Sequence, residues 1–145
     1  MKRRSLFTQS LLVVLIASPT MMLGGCRVIK EKKVVSAMAE RLENAPPIRL
    51  EALGEHHMLV MQAPHPGWSY RLDRDERDRD GWVVYLTIRK PDPAFMYPQR
   101  IVDKRLLTEV EADQPIRVMA RMLEHNEKGN KDQYAPLSFA EPGSS

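Results

Sequence analysis

The stretch "WVVYLTIR" (82–89) puts Trp82, Val84, Leu86 and Ile88 at alternate positions, with Thr87 and Arg89 among the residues between them. Side chains alternate across an extended chain, so this pattern describes a strand with one buried face. Outward from it the same period recurs in "IRLEALG" (48–54), "HMLVMQA" (57–63), "WSYRL" (68–72), "QRIVD" (99–103), "RLLTEV" (105–110) and "IRVMARML" (116–123). Trp68, Tyr70 and Leu72 form one alternate apolar set, and Ile116, Val118, Ala120 and Met122 another. Gly, Pro and Asp-rich breaks separate the runs. Seven such runs without a long amphipathic helix between them predict an all-β domain over residues 48–125, an antiparallel sandwich or small barrel.

The chain opens "MKRRSLFTQSLLVVLIASPTMMLGGC". Lys2, Arg3 and Arg4 resist membrane transfer, while the apolar core from Leu11 to Ala17 enters as a helix until Pro19 breaks it. A spanning helix needs about 20 predominantly apolar residues, and the polar residues at 8–10 and 18–20 interrupt any window of that length. Leu23-Gly24-Gly25-Cys26 then resembles the lipobox of bacterial lipoproteins, with charge, apolar core and box in the family's order. The resemblance implies cleavage between Gly25 and Cys26 and a palmitate-type acyl modification at Cys26, the only cysteine of the chain. Residues 1–25 are then a signal peptide. Membrane lipid, reached through acylated Cys26, becomes the first partner.

Without residues 1–25 the 22 basic side chains fall to 19, matching the 19 acidic ones. The whole-chain pI of about 9.1 therefore reflects the leader, and the charge balance predicts no nucleic-acid partner. About 120 residues remain, enough for one domain. Residues 26–47 read as a lipidated N-terminus and tether. "VVSAMAERLE" (34–43) there places Val35, Met38, Ala39 and Leu42 on one stripe of a short helix that "NAPP" (44–47) ends. A chain begun at Asn44 would retain every strand and unfold cooperatively. Residues 126–145 read as a polar tail, loose at its end.

"GWSYRL" (67–72), "VVYLTIRKPDP" (83–93), "QRIV" (99–102) and "PIRV" (115–118) resemble the Ig-like sandwich modules of bacterial envelope lipoproteins, such as the C-terminal domain of the PrcB-type protease-complex regulators. The resemblance implies a single antiparallel Ig-like β-sandwich of about seven strands, without the inter-sheet disulfide that a lone cysteine cannot make.

Four features could carry chemistry. In "DRDERDRDG" (73–81), Glu76, Asp78 and Asp80 before Gly81 mimic half an EF-hand loop, but the closing bidentate Glu is replaced by Thr87. With five acids offset by three arginines, the stretch reads as a solvated hairpin tip. Adjacent His56 and His57 would face opposite sides of a strand, and His65 and His125 sit on other elements, so no metal or other cofactor is expected. Ser36, Ser69 and Ser138 lack the sharp Gly-rich elbow of a nucleophilic serine. In "KPDPAFMYPQ" (90–99), three prolines stiffen a loop bearing Phe95, Met96 and Tyr97. Such a loop either anchors a partner at small entropic cost or folds back to plug the sandwich end.

These readings predict a non-catalytic binding or adaptor protein on the cell envelope, meeting another envelope protein through this loop or a strand edge. A regulator or inhibitor of an envelope protease is the second reading, and an envelope hydrolase the third. In the lipoprotein family, Asp after the cysteine favours inner-membrane retention. Arg27 stands here, so the outer membrane facing the periplasm is expected in a diderm host.

Overall fold

The computed structural model describes residues 25–139. The expected signal peptide, apart from Gly25, lies outside the described residues, as does the end of the tail. The order of elements is α1 (Gly25–Leu42), β1 (Ile48–Leu53), β2 (His56–Ala63), β3 (Ser69–Asp78), β4 (Gly81–Arg89), β5 (Val102–Glu111), β6 (Ile116–Leu123) and β7 (Ala135–Pro136). The strands form a three-stranded sheet, β1-β2-β5, packed on a four-stranded sheet, β3-β4-β6-β7. This is the all-β sandwich that the alternating runs predict. Leu59, Met61 and Ala63 of β2 meet Val84, Leu86 and Ile88 of β4 and Val118, Ala120 and Met122 of β6 in the core. Trp68 and Trp82 pack against its rim.

Pairing departs from the fully antiparallel arrangement expected of an Ig-like module. β4 and β6 run parallel, Val84 facing Val118 and Ile88 facing Met122. Parallel neighbours need a crossover of a dozen or more residues, and the 90–101 loop followed by β5 supplies it through the opposite sheet. The runs "QRIVD" and "RLLTEV" accordingly merge into the one strand β5.

Two expected boundaries move. Residues 26–47 are not a separate tether, because α1 spans 18 residues and its C-terminal turns pack on the sandwich. Met38 is buried, and Leu42 and Ala45 lie against the core, whereas Val35 of the expected stripe points outward. The Met122 N–H donates to Met38 Sδ at 3.2 Å, so the helix occupies a backbone position on the β6 edge beyond the reach of β7. Arg41 reinforces the contact through Glu127 at 3.0 Å. A hydrogen bond from the Glu124 N–H, followed by the Arg41 pairing, holds the Glu127 carboxyl below its ordinary range. Residues 126–139 of the expected polar tail likewise pack on the sandwich. Tyr134 and Ala135 are buried, Leu137 donates its N–H to the Val118 carbonyl at 2.9 Å, and Leu137 and Phe139 pack on the core.

The opposite side of the sandwich is closed by Tyr70 of β3. Its hydroxyl reaches the Leu59 carbonyl at 2.7 Å and the Lys104 carbonyl, both in the other sheet. Burial pushes the phenol up to about 12, a backbone hydrogen bond at Met61 opposing it. Because the folded value exceeds the ordinary 10, this contribution is complete below pH 10 and is lost as pH rises towards 12. Tyr70→Phe should lower stability at neutral pH by about 1 kcal/mol. It should also flatten the alkaline decline, which urea titrations at stepped pH would read. An unchanged alkaline slope in the variant would rule out this inter-sheet contact as its source.

Candidate functional site

One end of the sandwich gathers the 43–47 connection, the β2–β3 loop (64–68) and the β4–β5 loop (90–101). The long loop is fastened at its base. The Lys90 N–H donates to the Leu123 carbonyl at 3.0 Å, and Lys90 Nζ pairs with Glu124 at 2.7 Å. Asp92 accepts from the Ala94 N–H at 2.9 Å through Oδ1, while its Oδ2 lies 3.1 Å from His125 Nε2. These contacts and the prolines order the backbone before any partner arrives, so little loop entropy remains to be lost on binding.

The three loop residues separate. Tyr97 turns inward and stacks on His65, with ring centroids 5.2 Å apart and planes at 15°. A Cβ at Gly67 would come within 2.7 Å of the Tyr97 ring, so the glycine makes the seat. Phe95 and Met96 stay outside, 66% and 100% exposed. Of the three, Tyr97 alone is half-buried, against His65 and Gly67. Phe95, Met96 and Tyr97 line a cleft of about 280 Å³ with His65 and Pro93. Beside it, Pro47, Pro64, Trp68 and the 68%-exposed Ile101 border a second cleft of about 250 Å³. Ile101 escapes the sequence reading because it reads as part of "QRIVD", although β5 begins only at Val102.

The acidic run forms an exposed hairpin tip from Glu76 to Asp80, as read, but its start at Asp73 is not solvated. Residues 73–78 continue β3, and the hairpin turns at Arg79 and Asp80. The register slips between Leu72 and Arg74, leaving Asp73 as an extra residue whose side chain lies on the outer face of the sheet. Asp73 accepts from Thr87 Oγ1, from Tyr134 Oη at 2.8 Å and from Arg71 Nε at 3.1 Å, and lies 3.4 Å from Arg121. Arg121 also donates to the Thr87 hydroxyl at 2.8 Å and to the Asn130 carbonyl at 2.7 Å. Desolvation, then hydrogen bonding to Asp73, raises the Tyr134 phenol. With its carboxylate committed to these donors, Asp73 fastens the 126–134 segment to the outer face. The sequence signal for this cluster is Arg121, one of two arginines at outward positions of an otherwise apolar run.

His57 is buried, with Nε2 2.9 Å from the Gln114 carbonyl, while His56 is half-exposed. Among the described residues no three His, Cys, Asp or Glu side chains gather to hold a metal ion. Cys26 falls in the first turn of α1, next to Gly25. Compared with known families, curated proteins and solved structures, the chain has no match.

Proposed function

We propose that the chain is an exported envelope protein, lipid-anchored through Cys26, whose sandwich domain binds another protein through the 90–101 loop. The observation that carries the binding half is the full exposure of Met96 beside Phe95 on a loop whose base is held by the Lys90–Glu124 ion pair and the Asp92–His125 contact. Large apolar side chains held out on a rigid support bury area at small entropic cost, the usual make-up of an interface anchor. The anchoring half rests on the lipobox-like "LGGC" (23–26). No helix among the described residues is long and apolar enough to cross a membrane, and two or more acyl chains would supply stable attachment. With Arg27 after the cysteine, the outer membrane is the proposed site in a diderm host.

A photo-crosslinking residue in place of Met96, in the full chain in its own host, should capture a discrete protein, and Phe95→Ser should abolish that capture. Capture that persists in Phe95→Ser would refute the loop as the binding surface. A protease among the captured proteins would select the regulatory form of this function. In the same cells Cys26→Ser should block palmitate labelling and leave an uncleaved precursor, whereas normal labelling would end the lipoprotein reading.

A further inference from the structure

We infer that Met96 is a redox-sensitive modification site, and that its oxidation to the sulfoxide by a hydroperoxide switches off binding through the 90–101 loop. The regulatory half rests on the binding function proposed for that loop; the modification itself does not. Among the described residues Met96 is the one fully exposed methionine, whereas Met38, Met58, Met61 and Met122 are buried and Met119 is half-buried. An oxidant must reach the sulfur, so exposure directs the reaction to Met96. A sulfur lone pair attacks one oxygen of the peroxide, an S–O bond forms and the O–O bond breaks. Sulfur gives up two electrons and the peroxide takes them, while the proton of the transferred oxygen leaves with the departing one as water or an alcohol.

The contacts that order the loop contain no sulfur. They are the Lys90 N–H on the Leu123 carbonyl, the Lys90–Glu124 pair, Asp92 with Ala94 and His125, and Tyr97 on His65. Oxidation therefore leaves the loop in place and changes only what its tip offers a partner. A thioether is buried at no cost in hydrogen bonds, but a sulfoxide oxygen is a polar acceptor that must shed its water, and an apolar contact returns no donor to it. Met38 is the opposite case. Its sulfur accepts the Met122 N–H at 3.2 Å, and burial shields this thioether, which helps to dock α1. Methionine sulfoxide reductases return the sulfoxide to the thioether with a dithiol as reductant, the oxygen leaving as water, so the change at Met96 is reversible.

Hydrogen peroxide applied to the full-length, detergent-extracted chain tests the site. Peptide mass spectrometry should find the added oxygen on Met96 about tenfold or more sooner than on Met38, Met58, Met61 and Met122, whose sulfur reacts only through opening of the fold. The unfolding midpoint should not move. In envelope fractions of the host, a chain with the photo-crosslinking residue at Ala94 and native Met96 should lose capture about tenfold after peroxide, and regain it with methionine sulfoxide reductase and a dithiol. Met96→Leu should keep its capture through peroxide, and Met96→Gln, polar like the sulfoxide, should capture weakly without it. Equal oxidation rates at Met96 and the buried methionines would overturn the site. Capture that survives full oxidation of Met96, or that peroxide abolishes equally in Met96→Leu, would overturn the switch while the binding function stands. No capture before oxidation would instead refute that function, and the switch with it.

Discussion

Replacing Arg121 by methionine is expected to lower the unfolding free energy by about 3 kcal/mol, because it leaves the buried Asp73 carboxylate with only the solvent-exposed Arg71 as its cation. The Arg121 and Asp73 side chains are only 9% and 11% exposed. Thr87 and Tyr134 remain as neutral donors to the carboxylate, and the exposed Arg71 offsets its charge only weakly through solvent. Denaturant unfolding followed by fluorescence reads the loss, and the double variant Asp73→Leu/Arg121→Met should regain most of it, since no orphaned charge is left. A single variant within about 1 kcal/mol of the parent would show that the cluster is hydrated rather than buried.

The second large effect concerns the chain begun at Asn44, which the alternating pattern alone predicts to fold intact. The packing of α1 reverses that expectation. Such a chain loses buried Met38 and the core contact of Leu42, and it uncovers the Met122 N–H on the β6 edge. Deleting one buried methionine side chain typically costs about 2–5 kcal/mol, so the truncated chain should lose at least about 3 kcal/mol and aggregate through the opened edge. Met38→Ala in the intact chain should reproduce part of the stability loss without the aggregation. Truncation that left both the denaturation midpoint and solubility unchanged would mean that α1 is a passive tether after all.

Period-two runs expose the strands to inspection because burial follows that period on the inner faces, as at Val84, Leu86 and Ile88. Pairing partners are another matter. Nothing in "WVVYLTIR" or "IRVMARML" says that these strands lie side by side and parallel, because their order depends on a detour through the other sheet. The outer face of the four-stranded sheet also departs from the wet face that alternation implies, since Thr87, Arg121 and Leu123 are buried there. The cover comes from distant sequence, and a two-residue strand such as β7 has no period to detect. α1 is underestimated because Lys30, Glu31, Lys32 and Lys33 interrupt any apolar stripe ahead of Val34. At the candidate site, the loop and its aromatics are legible from prolines and composition. Which aromatic turns inward is not, because that depends on the space above Gly67 and the His65 ring.

The covering of β6 also imposes an order of events on a newly made chain. The helix that shields one part of this edge is synthesised first, and β7, which shields the rest, almost last. α1 cannot dock until β6 has emerged some eighty residues later, Met122 lying 84 positions beyond Met38. Even then the edge stays half open until residues 135–137 follow. A nascent chain arrested between these points holds a finished core beside an unpaired strand, which is the species a holdase chaperone would engage.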